Sequence, residues 1–118
     1  MLNEINTEKV YLSSGSTDMR KSIDGLAAIV QEVFRLDPFS TCLFVFCNKK
    51  RDKLKILQWS LNGFWLFYRR LEKGKFQFPD ESNESPLALS RRELNWLLDG
   101  LSLDQCQAHK KVTASTVV

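Results

Sequence analysis

Basic side chains are the residues of this 118-residue chain whose type and spacing most suggest a chemical task. Residues 44–76 carry nine lysines and arginines but only two acids, Asp52 and Glu72. The formal charge of the whole chain is only +3, so the remainder is net acidic. Such an asymmetry indicates a polyanionic partner better than the net charge does. A solvated lysine-rich face that keeps sheet edges soluble has the same composition, and charge alone does not separate the two interpretations.

The central basic residues predict contacts with the phosphate groups of a nucleic acid. Lysine grips phosphate as a point charge, and arginine can also read bases. The predicted contacts are made by Lys49, Lys50, Arg51, Lys53, Lys55, Arg69 and Arg70. Arg20 and Lys21 join this predicted site, because they stand at a predicted helix start whose N–H groups also bind anions. A structural interpretation of residues 17–21 stays open: the segment caps the helix, and an Asp18 ion pair clips it to the sheet.

The sequence contains no recognisable catalytic motif. His109 is the only histidine, and the three cysteines (Cys42, Cys47 and Cys106) form no CxxC pair. The carboxylates are scattered, and residues 15–17 lack the spacing of a phosphate-binding loop. The sequence therefore predicts a protein without catalytic residues, a metal site or a cofactor.

Hydropathy predicts a soluble cytoplasmic protein. No apolar run approaches the roughly 18 residues that a membrane helix needs. The first ten residues do not have the basic and then apolar pattern of a signal peptide. The odd number of cysteines argues against a disulfide framework, which fits a reducing compartment.

The periodicity of apolar residues predicts the strands and helices that carry these cations. The pattern predicts strands over 10–12, 43–47, 54–61 and 64–71, with a further extended segment over 76–79. Helical spacing predicts one helix from Met19 to Phe34, capped by Thr17 or Asp18, and a second that opens at a Ser90–Glu93 capping box and ends near Gly100. We expect an α+β fold, in which an antiparallel meander of four to five strands packs against the two helices. Residues 1–103 form one predicted domain and residues 104–118 a flexible tail.

Asn62-Gly63 predicts a tight hairpin, because both central residues of its turn need a positive φ. With these two as the loop, Leu61 faces Phe64, Lys55 faces Arg70 and Lys53 faces Glu72. A like-charge pair at Lys55 and Arg70 fits a position where an anion binds, although Glu72 can also screen it. The hairpin aromatics are predicted to be core residues, with any excess apolar surface left for a protein interface.

Four stretches of the sequence, residues 15–26, 37–40, 43–59 and 63–76, resemble the TnpB accessory proteins of the insertion-sequence sixty-six family. The resemblance spans about residues 10–103, with Thr41 in place of a usual Gly, Ser60 in place of Asp, and Lys49-Lys50 where Arg is common. It implies a part in transposition beside a separate DDE transposase and a second small accessory protein, and it supplies no catalytic or binding residues. We therefore expect an accessory factor that binds DNA at the insertion-sequence ends, or a transposase–DNA complex, through a basic hairpin end. A module that docks onto the transposase without touching DNA is the alternative, and a nuclease-like enzyme is a third, weaker interpretation. A homodimer is a further expected assembly.

Overall fold

The structure is a computed structural model that describes residues 9–79 and 85–99. Its strands are β1 (Val10–Leu12), β2 (Leu43–Cys47), β3 (Lys53–Ser60), β4 (Gly63–Arg70) and β5 (Leu87–Leu89). They form a five-stranded sheet in the order β4-β3-β2-β1-β5. The predicted meander is present as β2-β3-β4, but β1 runs parallel to β2 and antiparallel to β5. The sheet is thus mixed, and together with the helices it confirms the α+β class.

The first helix begins later than predicted. Helix α1 spans Ile23–Ala28 and continues as a π-helical turn over Ile29–Val33. Its N-cap is Ser22, whose side chain makes no capping bond, so capping by Thr17 or Asp18 is wrong. The physical reason is that the backbone N–H of Thr17 donates to the carbonyl of Cys47 at 2.8 Å, which holds this segment against the sheet.

The second helix begins as the sequence predicts. Helix α2 spans Arg91–Leu98, and Ser90 is its N-cap. The Ser90 hydroxyl accepts from the Glu93 N–H at 3.1 Å, and the Glu93 carboxylate accepts from the Ser90 N–H at 3.0 Å. This reciprocal pair confirms the capping box. The predicted end near Gly100, the tail over 104–118 and residues 1–8 lie outside the described residues.

Each face of the sheet has its own apolar core. On one face, Leu26 of α1 and Val30 of the π-helical turn pack against side chains of β2 and β3. On the other face, Leu94 and Leu97 of α2 pack against β1, β3 and the two buried phenylalanines of residues 71–79, Phe76 and Phe78. Every residue of β2 is buried, as its continuous apolar run predicts. The 76–79 segment therefore fills a core instead of adding a strand.

The hairpin loop is Leu61-Asn62, so the predicted register is wrong. Ser60 pairs with Gly63, and each β3 residue faces a β4 residue two positions earlier than predicted. The positive φ of the turn falls on Leu61, at 58°, instead of on Gly63. Because the displacement is an even number of residues, each side chain keeps its predicted face. Lys55 is consequently opposite Tyr68, and Lys53 is opposite Arg70.

None of the helices within residues 9–79 and 85–99 has the length and apolar character needed to cross a bilayer.

Candidate nucleic-acid interface

One end of the sheet gathers the segments that carry most of the predicted cations. β1, β2 and β4 finish at this end and β3 begins there, as their pairing requires. Residues 13–21, 48–53 and 70–79 therefore lie at this end, and we call them the basic end. These three segments carry nine basic and three acidic side chains. The topology thus brings Arg20 and Lys21 to the same end as the cations of the central third.

The β2–β3 turn presents two lysines on a tightly bonded backbone. The Asn48 side-chain amide donates to the Asp52 carboxylate at 2.7 Å, and its oxygen accepts from the N–H groups of Asp52 and Lys53 at 3.1 and 3.0 Å. Lys49 and Lys50 are exposed at the tip of this turn. Within the described part of the chain, neither lysine side chain makes a hydrogen bond or an ion pair. The turn therefore holds the backbone of two available lysines in a fixed place.

Asp52 is the anionic support of this turn. The hydrogen bond from Asn48 is the main cause of a pKa below the usual value for Asp52, and Lys53 and Lys50 act in the same direction. The carboxylate is therefore ionised at neutral pH. Its backbone carbonyl also accepts from the Leu71 N–H at 2.7 Å, which ties the turn to the end of β4.

Arg51 is engaged within the fold. Its guanidinium donates to the carbonyl oxygens of Phe78 and Pro79, and it lies 5.7 Å from the centroid of the Phe78 ring. The Arg51 carbonyl also accepts from the Phe76 N–H at 2.7 Å. Arg51 therefore fastens the 76–79 segment to the β2–β3 turn.

Arg69 lies on a different face of the sheet from Lys53 and Arg70. Alternation along β4 places it on the α2 side, where its guanidinium donates to the Leu98 carbonyl at 2.9 Å. A cation at this position bonds a terminal carbonyl of α2 and complements the helix dipole. Arg69 thus stabilises the end of α2 and stands apart from the other predicted contacts.

Lys55 ties the 17–21 segment to the sheet. Its ammonium donates to the backbone carbonyls of Met19 and Lys21 at 2.8 and 2.9 Å and lies 5.8 Å from the centroid of the Tyr68 ring. The segment is therefore attached to the sheet as predicted, but Lys55 makes the attachment instead of an ion pair of Asp18. The side chain of Lys21 is left exposed beside it.

Two arginines of the predicted site pair with nearby acids. Arg20 contacts Asp18 at 2.8 Å, and Arg70 contacts Glu72 at 2.8 Å. Hydrogen bonds from the Arg20 side chain and backbone lower the pKa of Asp18 to about 2. Both pairs are solvent-exposed, so a phosphate can compete for either guanidinium.

Lys73 and Lys75 belong to the same surface, although the predicted site omits them. Both are exposed at the basic end, after β4. The signal that could have identified them was already present, since they are part of the charge excess of residues 44–76. At the basic end, as far as the structure describes it, the cations without a hydrogen bond or an ion pair are thus Lys21, Lys49, Lys50, Lys53, Lys73 and Lys75.

No group of three or more metal-ligating His, Cys, Asp or Glu side chains occurs in residues 9–79 and 85–99.

Comparison with known proteins identifies the family. The family model described as IS66 (insertion sequence sixty-six) Orf2 like protein matches residues 8–108. Two proteins of Sinorhizobium fredii are similar, and both carry the description "uncharacterized". The protein y4hO is 36% identical over 101 residues, covering 86% of this chain and 87% of its own length. The protein y4jC is 32% identical over 93 residues, covering 79% of each chain. No solved structure matches.

The matched region includes the whole sheet, both helices and the basic end. It also contains all four stretches on which the sequence resemblance rests, so that resemblance is confirmed. The chain belongs to the IS66 Orf2-like family.

Proposed function

We propose that this protein is a non-catalytic accessory factor of DNA transposition that binds DNA, or a transposase–DNA complex, through its basic end. An accessory role in IS66 transposition is what membership of the family suggests. The observation that carries the DNA-binding part is the fixed β2–β3 turn, which holds the available charges of Lys49 and Lys50 beside Lys53. A phosphate backbone is the partner that such a group of point charges fits best.

The different roles of the arginines and the lysines favour DNA binding without base readout. Arginine is the residue that usually reads base edges, but Arg51 and Arg69 bond backbone carbonyls of the protein itself. The available cations are lysines, which contact phosphate as point charges. The proposed contact set is therefore Lys21, Lys49, Lys50, Lys53, Lys73 and Lys75, with Arg20 and Arg70 joining when phosphate replaces their carboxylate partners. Arg51, Lys55 and Arg69 support the surface.

In this proposal the protein works in the cytoplasm, away from the membrane, on the ends of its insertion sequence. The DDE transposase and the second accessory protein of the same element are its partners. Sequence choice then belongs to the transposase, and this protein supplies affinity for the DNA backbone. Residues 1–103 act as the working domain and residues 104–118 as its tail.

The salt dependence of DNA binding tests the proposal. Fluorescence anisotropy measures the affinity of the full chain for labelled duplexes of the insertion-sequence ends over a range of salt concentrations. Removing two phosphate contacts with Lys49→Gln/Lys50→Gln lowers the magnitude of the slope of log K against log salt by about 1.8, or 0.9 per contact. The matched control is Lys9→Gln/Arg35→Gln, which removes two exposed charges outside the basic end. Binding that is flat in salt, or equal losses in both double variants, would falsify the proposal.

Docking onto the transposase without DNA contact is the second candidate function. The hairpin tip supports it, because the rings of Phe39, Trp59 and Phe64 cluster there with centroids 4.9–5.4 Å apart. Phe39 is 54% exposed, although it belongs to an aromatic cluster. If docking is the whole function, the full chain captures purified transposase in the absence of DNA, and Lys49→Gln/Lys50→Gln changes neither this capture nor transposition.

A further inference from the structure

The outer edge of β4 is an open hydrogen-bonding surface. β4 is the last strand of the sheet on one side, with β3 as its neighbour. The Leu71 N–H donates to the Asp52 carbonyl, which shows that odd-numbered residues along this strand direct their backbone groups toward β3. Since the direction alternates, Phe64, Leu66, Tyr68 and Arg70 direct theirs outward. Within residues 9–79 and 85–99, no backbone group pairs with this outer edge.

β4 lacks most of the features that usually prevent an edge strand from pairing with a strand of another chain. β4 is eight residues long and contains no proline. Its side chains include Trp65 at 43% and Tyr68 at 54% exposure, so aromatic surface flanks the open backbone groups. Charge is confined to its last two residues, Arg69 and Arg70. Long, apolar and unpaired edges are templates for another strand.

We propose that a second copy of this chain pairs with β4 in antiparallel orientation, about a twofold axis that passes midway between Phe67 and the partner subunit's Phe67. A twofold axis perpendicular to the sheet keeps corresponding faces together, so paired residues must share a face. Among such registers, the one centred on Phe67 lets all four outward residues bond across the axis. Phe64 then pairs with the partner subunit's Arg70, and Leu66 pairs with the partner subunit's Tyr68. Registers centred on Leu66 or Tyr68 leave one of the four without a strand partner.

The charges and rings of β4 are self-complementary in this register. The antiparallel arrangement places Arg69 and Arg70 of the two copies at opposite ends of the interface. On one face Phe64 meets the partner subunit's Arg70, and on the other Trp65 meets the partner subunit's Arg69, so each guanidinium lies near an aromatic ring. Parallel pairing would set like charges against each other. The sheet would continue across both protomers, with a basic end at each of its two opposite margins.

The oligomeric state of the full chain tests this interface. Sedimentation measurements over a concentration series are expected to show a monomer–dimer equilibrium. Tyr68→Pro removes an outward N–H without breaking a β3 bond, and Trp65→Lys adds a charge at the edge. Each is expected to raise the dimer dissociation constant about tenfold or more. The control is Leu61→Lys, which adds the same charge at a 93% exposed loop position and leaves the equilibrium unchanged.

Cysteine cross-linking tests the register. Residues facing each other across the axis in a pair without hydrogen bonds have Cα atoms about 4.5 Å apart, within the range for a disulfide. Under mild oxidation Phe67→Cys is expected to form a covalent dimer beyond the wild-type background, whereas Trp65→Cys is not. Circular dichroism confirms that each variant is folded. The proposal is overturned by a wild-type monomer at every concentration, by a dimer that neither edge variant weakens, or by preferential cross-linking of Trp65→Cys.

Discussion

Leu61 holds a backbone conformation that its residue type disfavours. Its φ is 58°, in the left-handed region, where a side chain with a Cβ is strained by about 1 kcal/mol. The side chain is 93% exposed, so it gains little packing in return. Arg51 has a similar φ of 66°, but its guanidinium bonds the 76–79 segment. The backbone strain at Arg51 is therefore offset by contacts of its side chain, whereas the strain at Leu61 is not.

Leu61→Gly is expected to raise the free energy of unfolding by about 0.5–1 kcal/mol, because glycine relieves the left-handed strain. Urea denaturation followed by circular dichroism gives this value. Leu61→Ala is the control, since it keeps the strain and is expected to lie within about 0.5 kcal/mol of the wild type. A glycine variant less stable than the alanine variant would contradict the explanation.

The sequence predicted the positions of the cations better than their partners. Charge counting found Lys49 and Lys50, and a local motif found the Ser90–Glu93 capping box, because these depend on neighbouring residues. The partners of Arg51 are backbone carbonyls 27 and 28 residues away. Every residue type supplies such a carbonyl, so no sequence pattern marks it. The same holds for the carbonyls of Met19 and Lys21 that bind Lys55.

At the scale of elements, what was predictable depended on sequence separation. The meander β2-β3-β4 followed from adjacent apolar runs and short turns. β1 and β5 have three residues each, and their pairing joins distant parts of the chain, so periodicity could not assign the parallel pair or identify Leu87–Leu89 as a strand. The hairpin register was missed by two residues because Asn62-Gly63 is a strong turn signal, yet the backbone turns at Leu61-Asn62.

Arg51 joins two elements, and this role predicts the effect of a conservative substitution. Arg51→Lys keeps the charge but loses the planar fork that reaches the carbonyls of Phe78 and Pro79, so the free energy of unfolding should fall by about 2 kcal/mol. Urea denaturation measures the loss. Lys50→Arg, the reverse exchange at the neighbouring exposed residue, serves as the control with a change within about 0.5 kcal/mol. If Arg51 were chiefly a phosphate ligand, its substitution would weaken DNA binding and leave stability unchanged.

At the scale of the whole molecule, β2 is the central strand and is covered on both faces. Cys47 at its end is fully buried, and burial raises the pKa of its thiol to about 11. At pH 8 only about 0.1% of such a thiol is ionised, and the thiolate is the reactive form. Chemical modification of Cys47 therefore measures how often the sheet opens around β2.

Iodoacetamide at pH 8 is expected to leave Cys47 unmodified in the native protein and to modify it as urea unfolds the chain. Peptide mass spectrometry measures the modification of each cysteine. Cys42, which is only half-buried just before β2, provides the internal comparison and is expected to react first. Equal native rates for the two cysteines would show that β2 opens without global unfolding.

The place of β1 in the sheet has a consequence for biosynthesis. Val10 of β1 is flanked by Leu43 on one side and by Leu89 on the other. Of the strands that the structure describes, β1 is synthesised first and its neighbour β5 last, so β1 cannot complete its pairing until β5 has been made. The β2-β3-β4 unit has mostly local contacts and can assemble on the ribosome as it emerges. The edge of β1 that pairs with β5 stays without a partner strand until residues 87–89 leave the exit tunnel. Nascent chains stalled before that point should be the most prone to aggregate and the most dependent on chaperones.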